Sequence, residues 1–199
     1  MAESWEEEAM FRFGRGALHQ LMSGIGRDMR DCGGGSPLAS IWPALRRRGS
    51  RAILVHANTL DGHEIQQLGR LAGRALVAHC PRSSAYFGHP HFPLKELQRQ
   101  GVTICLGTDS LASNRDLSMF REMACLRESH SGLSPREVLA MATFHGAKAL
   151  GAARAWSRWQ DWIAIPSAVR RINKVWDEVT SFTGRPCFVM VNRRVLTGK

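Results

Sequence analysis

The stretch Val102–Asp109, VTICLGTD, is a short apolar run that ends on a carboxylate. Two earlier runs have the same form, since Ile53–His56 (ILVH) and Ala75–His79 (ALVAH) each end on a histidine. Such short apolar runs, bounded by turn residues, are typical of buried parallel strands. Their terminal polar residues lie 23 and 30 residues apart, which leaves room for a helix between successive strands. The pattern predicts an α/β fold with polar side chains at the carboxyl ends of strands, where such folds place their chemistry.

Helical patterns alternate with these runs, and strands that alternate with helices indicate βαβ units. Ser134-Pro135-x-Glu137 is typical of a capping box with proline at the first helical position. Residues 80–93 are predicted to form a long loop. The predicted strands cover 52–56, 75–79 and 102–107, and the predicted helices cover 5–23, 37–47, 61–72, 94–100, 116–130 and 134–150.

The pattern changes after Gly151, which ends the last predicted helix. Short strand candidates follow at 161–165, 187–191 and 193–196, with no long helix between them. Asn192-Arg193 has the residues to turn a hairpin between the last two candidates. We therefore expect two domains, an α/β domain over 1–151 and the strands of a small β domain over 152–199.

Composition indicates a globular protein, with 44% apolar and 22% charged residues among 199. No apolar run reaches the length of a membrane helix, and the acidic start lacks the apolar segment of a secretory signal. The five cysteines are widely spread without a CxxC pair, as expected for free thiols in the cytoplasm. The net charge of +10 comes mostly from scattered arginines, which favours a solvated basic surface over a nucleic-acid interface.

Each polar residue at a strand end has an ordinary alternative role. His56 could be a buried histidine bonded to a backbone carbonyl, and Asp109 could cap the following helix. Glu3 could be one of several acids in a first helical turn, or it could stand at the end of a strand like the others. His89 and His91 have an HxH spacing, but a proline-rich loop with one histidine touching substrate is the favoured interpretation.

Taken together, several motifs resemble those of metal-dependent amidohydrolases, in the branch of aminohydrolases and chlorohydrolases that contains guanine deaminase, adenosine-type deaminases and triazine hydrolases. The motifs run through nearly the whole chain. They are Leu54–Asn58 (LVHAN), Val77–Ser83 (VAHCPRS), Ala85–His89 (AYFGH), Gly101–Asn114 (GVTICLGTDSLASN), Ala140–Thr143 (AMAT) with Gly146-Ala147 and Leu150-Gly151, and Asp161–Pro166 (DWIAIP).

The resemblance implies part of a (β/α)₈ barrel, about strands 5–8, followed by short strands of a small β-sandwich. It implies a divalent metal, zinc or alternatively iron, and deamination of a heterocyclic ring amine by a metal-bound hydroxide. Asp109 would bind the metal and accept a proton, His56 would steady the metal-bound hydroxide, and Glu3, in the motif Ala-Glu-Ser, would donate a proton. Substrate contacts are implied at His79, Arg82, Ser83, Tyr86 and His89.

The chain departs from the family pattern at its start. The first-strand HxH pair is absent, and Met1 stands one residue after the position of the fifth-strand histidine. Since catalytic zinc sites use about three protein ligands, we expect the chain alone to lack hydrolase activity. We expect either a fragment of a deaminase or a half-barrel subunit that pairs with an amino-terminal half or with another copy. A basic module that binds nucleic acid is a third alternative.

Overall fold

The structure is a computed structural model that describes residues 5–71, 73–151, 162–164, 175–184, 188–191 and 194–196. The chain forms two compact units, one of Met1–His79 with Ser84–Ile104 and the other of Cys80–Ser83 with Cys105–Lys199. The described strands are β1 (Ala52–Val55), β2 (Ala75–His79), β3 (Thr103–Leu106), β4 (Trp162–Ala164), β5 (Phe188–Val191) and β6 (Arg194–Leu196). The described helices are α1 (Trp5–Phe13), α2 (Ala17–Gly24), α3 (Pro37–Arg46), α4 (Gly62–Gly69), α5 (Pro81–Tyr86), α6 (Leu94–Arg99), α7 (Met119–Ser129), α8 (Pro135–Ala142), α9 (Phe144–Ala149) and α10 (Val175–Ser181).

The three strands predicted from the apolar runs are confirmed as β1, β2 and β3, which form one sheet in that order. β1 and β2 pair in parallel, from Ala52 opposite Ala75 to Val55 opposite Ala78. Most of β2 is buried, as a central parallel strand should be. In β1, however, the side chains of Ile53 and Val55 are 39% and 41% exposed, so the prediction of a fully buried strand is wrong for its outer face.

Helices α3 and α4 begin where the sequence predicts, because each has a capping side chain. The Ser36 hydroxyl accepts the Ala39 N–H at the start of α3. Asp61 and Glu64 form a reciprocal capping box at the start of α4. Glu64 also accepts a hydrogen bond from the Ser36 hydroxyl, so the two helix starts are joined by buried polar side chains.

The long helix predicted over 5–23 is wrong, since the structure has α1 and α2 there. Gly14 and Gly16 separate them with φ values of 59° and 109°, which a glycine adopts without steric cost. The carboxylate of Glu8 in α1 pairs with Arg12 and accepts a hydrogen bond from the Thr59 hydroxyl at 2.9 Å. This contact anchors α1 to the loop that follows β1.

The long loop predicted through Pro93 is also wrong in its first part, because Pro81 begins α5 directly after β2. Proline is favoured in a first helical turn, where its missing N–H is not needed. Residues 87–93 form the connection to α6 without regular secondary structure.

In the second unit, α7 begins after an N-cap at Ser118, and α8 begins with the predicted capping box of Ser134 and Glu137. The helix predicted over 134–150 breaks at Thr143, which has φ −130° and ψ −86°, and continues as α9. Arg127 in α7 binds the carboxylate of Asp177 in α10 at 2.9 Å.

Strands β4, β5 and β6 form an antiparallel sheet in that order. The three strand candidates of the tail are thereby confirmed, and β5 and β6 have the antiparallel pairing that a hairpin requires. The domain boundary at residue 151 and the small β-sandwich stay predictions. Within the described parts of the chain, no helix is both long and apolar enough to cross a membrane.

Candidate active site

His56 and His79 occupy the carboxyl ends of neighbouring parallel strands in the first unit. The His56 N–H donates to the carbonyl oxygen of Ala78 at 2.9 Å, which extends the β1–β2 ladder by one residue beyond Val55. In this register His56 lies beside His79. Both side chains are at least nine-tenths buried. The structure thus brings together the two histidines that the apolar runs predicted.

The chain turns sharply at His56 through two successive residues in the left-handed region. His56 has φ 67° and Ala57 has φ 56°. For a residue with a Cβ atom this conformation costs about 1–2 kcal/mol. Asn58 follows with 4% exposure, and its side-chain amide has no hydrogen-bond partner among the described residues. Strain and unsatisfied polar groups of this kind are retained at functional sites.

The ring of His79 stacks on the ring of Phe92, with centroids 3.9 Å apart and planes 5° apart. Phe92 is 2% exposed and belongs to the segment that follows α5. Because a stacked ring cannot rotate freely, this contact sets the plane of the His79 imidazole. The proline-rich segment therefore holds a strand-end histidine in place.

Asp109 lies in the second unit, three residues after β3, with φ 56°. Its Oδ2 atom accepts hydrogen bonds from the Ser83 hydroxyl at 2.6 Å and from the Ser113 hydroxyl at 2.9 Å. Ser83 is fully buried and Ser113 is 6% exposed. Two hydroxyl donors thus fix one oxygen of the carboxylate. Asp109 does not cap the next helix, since Ser118 caps α7.

Cys80 lies in the same unit, and its sulfur would be 3.2 Å from a Cβ atom built on Gly107. Any larger residue at position 107 would press on Cys80, so this glycine permits the close approach of the two residues. Burial, and then the charge of Asp109, raises the pKa of the Cys80 thiol to about 12. Because the thiol is protonated at neutral pH, Cys80 does not act as a free thiolate nucleophile.

Glu122 in α7 is a functional candidate that sequence reasoning missed. Its carboxylate is fully buried, and it accepts the backbone N–H of Arg82 at 3.0 Å and the Asn114 amide at 3.4 Å. Burial raises its pKa to about 7, against the opposing effect of the Arg82 N–H. The available signal was an acid between Met119 and Leu126, at the helical spacing of a buried face.

The residues predicted to contact substrate differ in their burial and in their hydrogen bonds. The Arg82 guanidinium binds the Asp116 carboxylate at 2.8 Å and the Asp116 carbonyl oxygen at 3.2 Å. Tyr86 is 67% exposed. The backbone N–H of His89 donates to the carbonyl oxygen of Ser84 at 3.0 Å, so His89 directly follows the last turn of α5. Their roles toward a substrate stay predictions, and Glu3 lies outside the described residues.

Among the residues that the structure describes, no group of three histidine, cysteine or acidic side chains could hold a metal ion. Asp109 supplies one carboxylate whose nearest polar neighbours include the hydroxyls of Ser83 and Ser113, which are not the ligands that zinc prefers. The described residues therefore do not by themselves fit a complete metal site.

An apolar cavity of about 270 Å³ lies in the second unit, between α7, α8 and α10. None of the predicted site residues lines it. Its walls are Met119, Phe120, Met123, Leu139, Ala142, Thr143 and Val179. With so little polar surface, this cavity has no group that could perform hydrolysis.

The parallel sheet and the polar residues at its strand ends agree with the comparison to known families. Residues 19–155 match the model described as "Amidohydrolase family", and the chain belongs to this family. The resemblance drawn from the motifs is thereby confirmed. Members of this family use a divalent metal.

Curated relatives of this chain are deaminases. It is 40% identical over 108 residues to the 5-methylthioadenosine/S-adenosylhomocysteine deaminase of Pyrococcus furiosus, a match over 51% of this chain and 25% of that protein. It is 39% identical over 109 residues to the 5'-deoxyadenosine deaminase of Methanoregula boonei, over 51% of this chain and 24% of that protein. The chain thus matches about a quarter of these relatives' length.

Solved structures extend the comparison. Helicobacter pylori aminofutalosine deaminase has a TM-score of 0.76 at 17% identity, over 98% of this chain and 50% of that chain, which supports the fold alone. A Xanthomonas campestris adenosine deaminase with bound Zn has a TM-score of 0.64 at 25% identity, over 81% of this chain and 40% of that chain. The chain is a mixed α/β structure with a parallel sheet, consistent with part of an amidohydrolase barrel.

Proposed function

We propose that this chain carries the carboxyl-terminal part of the active site of a metal-dependent deaminase. The reaction would hydrolyse the bond between a heterocyclic ring carbon and its amino group, with release of ammonia. The observation that carries the proposal is the strand-end carboxylate of Asp109, held through Oδ2 by two buried hydroxyls in a left-handed backbone conformation. A carboxylate held in this way is prepared to accept a proton in a fixed direction.

The names of two relatives support a proposal for the substrate class. Because the Pyrococcus furiosus and Methanoregula boonei proteins are named for adenosine derivatives, we propose an aminopurine nucleoside as the substrate. In this proposal the buried His79 ring lies near the purine, and Arg82, Tyr86 and His89 contribute to binding. Ser83 is likewise proposed to touch substrate, and its hydroxyl bond to Asp109 supports a further role in holding that carboxylate.

The metal is proposed to be zinc, as in the Xanthomonas campestris structure. A divalent metal supplies an activated water at neutral pH when it is bound. Asp109 and His56 would each contribute to its site, and the remaining ligands would come from outside the described residues. Glu3 is proposed as the proton donor to the ring.

A further segment is needed to complete the site, from the same longer protein or from a separate subunit. The apolar side chains of Ile53 and Val55 support this proposal, because their exposed face is one that a closed barrel would cover. The completed protein would be a (β/α)₈ barrel with a small β-sandwich. The free thiols at Cys32, Cys80, Cys105 and Cys125 favour a cytoplasmic location.

The proposal is tested with a chimaera in which this chain replaces the corresponding carboxyl-terminal part of the Pyrococcus furiosus deaminase. We expect ammonia release from 5-methylthioadenosine with added zinc, and none from this chain alone. Asp109→Asn should lower kcat by about 10³-fold or more, whereas the exposed control Glu128→Gln should not change it. A folded, zinc-loaded chimaera that acts on no aminopurine, or that keeps its activity with Asp109→Asn, would overturn the proposal.

A further inference from the structure

The proposed reaction does not explain why Glu122 is buried. It is a fully buried acid in the middle of α7, flanked on the buried face by apolar side chains such as Met123 and Leu126. Burial of a carboxylate is costly unless hydrogen bonds and opposite charges compensate for the lost water. We therefore expect both carboxylate oxygens of a buried acid to accept hydrogen bonds.

The two oxygens of Glu122 accept from two different segments. Oε2 accepts the backbone N–H of Arg82, in the first turn of α5. Oε1 accepts the side-chain amide of Asn114, in the loop between β3 and α7, and lies 3.7 Å from the Arg82 guanidinium. The Asn114 amide also donates to the carbonyl oxygen of Thr108, one residue before Asp109.

These are the two segments that hold Asp109. Ser83 follows Arg82 in the first turn of α5, and its hydroxyl is one donor to Asp109 Oδ2. Ser113 precedes Asn114 in the loop, and its hydroxyl is the other donor. Each residue bound by Glu122 is therefore the immediate neighbour of a residue that holds the carboxylate.

We propose that Glu122 is a positioning residue for Asp109, which it acts on through Arg82 and Asn114. By holding the first turn of α5 against the β3–α7 loop, Glu122 keeps the Ser83 and Ser113 hydroxyls on the same carboxylate oxygen. This inference rests on the proposed function, in which Asp109 is the reacting carboxylate. Glu122 itself does not touch the reacting atoms.

The geometry requires a carboxylate and not merely a polar side chain of this length. A glutamine at position 122 has one acceptor oxygen, and its amide group would face either the Arg82 N–H or the Asn114 amide, donor to donor. Glu122→Gln thus removes one of the two links while it keeps the shape of the side chain. Glu128 in the same helix is exposed and serves as the matched control for the same chemical change.

The test measures the NMR chemical shift of the Asp109 side-chain carboxyl carbon in the ¹³C-labelled chain. The side-chain carboxyl resonance of Asp109 is identified by its loss in Asp109→Asn. We expect Glu122→Gln and Glu122→Ala to displace this resonance, and Glu128→Gln to leave it unchanged. If Glu122→Ala does not fold, Glu122→Gln decides. A resonance that stays in place in folded Glu122→Gln overturns the proposal, because a merely structural acid would lower stability without moving Asp109.

The chimaera supplies a second readout. Glu122→Gln should lower kcat by about 10-fold to 100-fold with KM unchanged, since a misplaced reacting group affects the chemical step more than binding. Equal activity of Glu122→Gln and wild type at a temperature where both are folded overturns the proposal. If the wild-type chimaera releases no ammonia, the proposed function fails, and the Asp109 resonance still decides whether Glu122 positions this carboxylate.

Discussion

The Ser83 hydroxyl donates a 2.6 Å hydrogen bond to the Oδ2 atom of Asp109, across 26 positions of the chain. Ser83 is the third residue of α5 and Asp109 follows β3, so the bond joins the turn after one strand to the turn after the next. Both residues belong to the same compact unit. A buried bond from a hydroxyl to a carboxylate is both a stabilising contact and a constraint on the direction of the carboxylate.

Replacing Ser83 with alanine removes this donor from a buried site. Since hydrogen bonds to charged groups contribute about 1.5–3 kcal/mol, we expect Ser83→Ala to lower the free energy of unfolding by about that amount. Urea denaturation of the chain, followed by circular dichroism, measures the change. Ser131→Ala, at an exposed serine, should change it by less than about 0.5 kcal/mol. An equal effect of the two substitutions would mean that the bond to Asp109 contributes nothing to stability.

Because Ala57 has a left-handed backbone conformation, we expect its replacement by glycine to have little effect on stability. Ala57→Gly relieves about 1–2 kcal/mol of backbone strain, which offsets the loss of a buried methyl group and the greater entropy of the unfolded chain. We expect the free energy of unfolding to change by less than about 0.5 kcal/mol. Ala124→Gly, a buried position within α7, has no strain to relieve and should cost about 1.5 kcal/mol. Similar losses in both variants would contradict the strained turn.

Asn58 and Asn114 are both buried, and they should respond differently to alanine. The Asn114 amide holds Glu122 and the carbonyl oxygen of Thr108, so Asn114→Ala should lower the free energy of unfolding by about 2–3 kcal/mol. The Asn58 amide has no hydrogen-bond partner among the described residues, so Asn58→Ala should be nearly neutral or stabilising. Thermal denaturation of both variants against the wild type measures the difference. A loss with Asn58→Ala as large as that with Asn114→Ala would reveal a structural partner of Asn58.

Glu122 should make stability depend on pH. Its pKa is raised by burial from an ordinary 4.5 to about 7, so the folded chain keeps a proton that the unfolded chain releases between these values. The contribution of this acid to stability is therefore most favourable below pH 4.5, falls as pH rises, and levels off above about 7. Urea unfolding of wild type and Glu122→Gln across this range should show wild type losing stability relative to the variant. A pH-independent difference between them would argue against the raised pKa.

Local sequence patterns predict much of the fold, because their causes are local. Apolar runs beside turn residues predict β1, β2 and β3, and the Ser134–Glu137 capping box predicts the start of α8. A break within 5–23 was missed although the amphipathic pattern blurs at Gly14 and Gly16, and the break at Thr143 was missed because neither glycine nor proline stands beside it. The start of α5 was missed because proline after a strand is equally compatible with a turn.

The candidate site, like the fold, was predicted only in part from the sequence. By itself the sequence determined which polar residues lie at or just after the carboxyl ends of the strands, namely His56, His79 and Asp109, because strand length depends on neighbouring residues. Only the tertiary structure decided what holds them: the Phe92 ring on His79, the Ser83 hydroxyl on Asp109, and the buried Glu122 that binds the neighbours of both serines. These contacts join residues 8 to 40 positions apart, and no local pattern encodes the meeting of such side chains. Their partners are chosen by packing, which assigns each buried polar group the donor or acceptor that lies within reach.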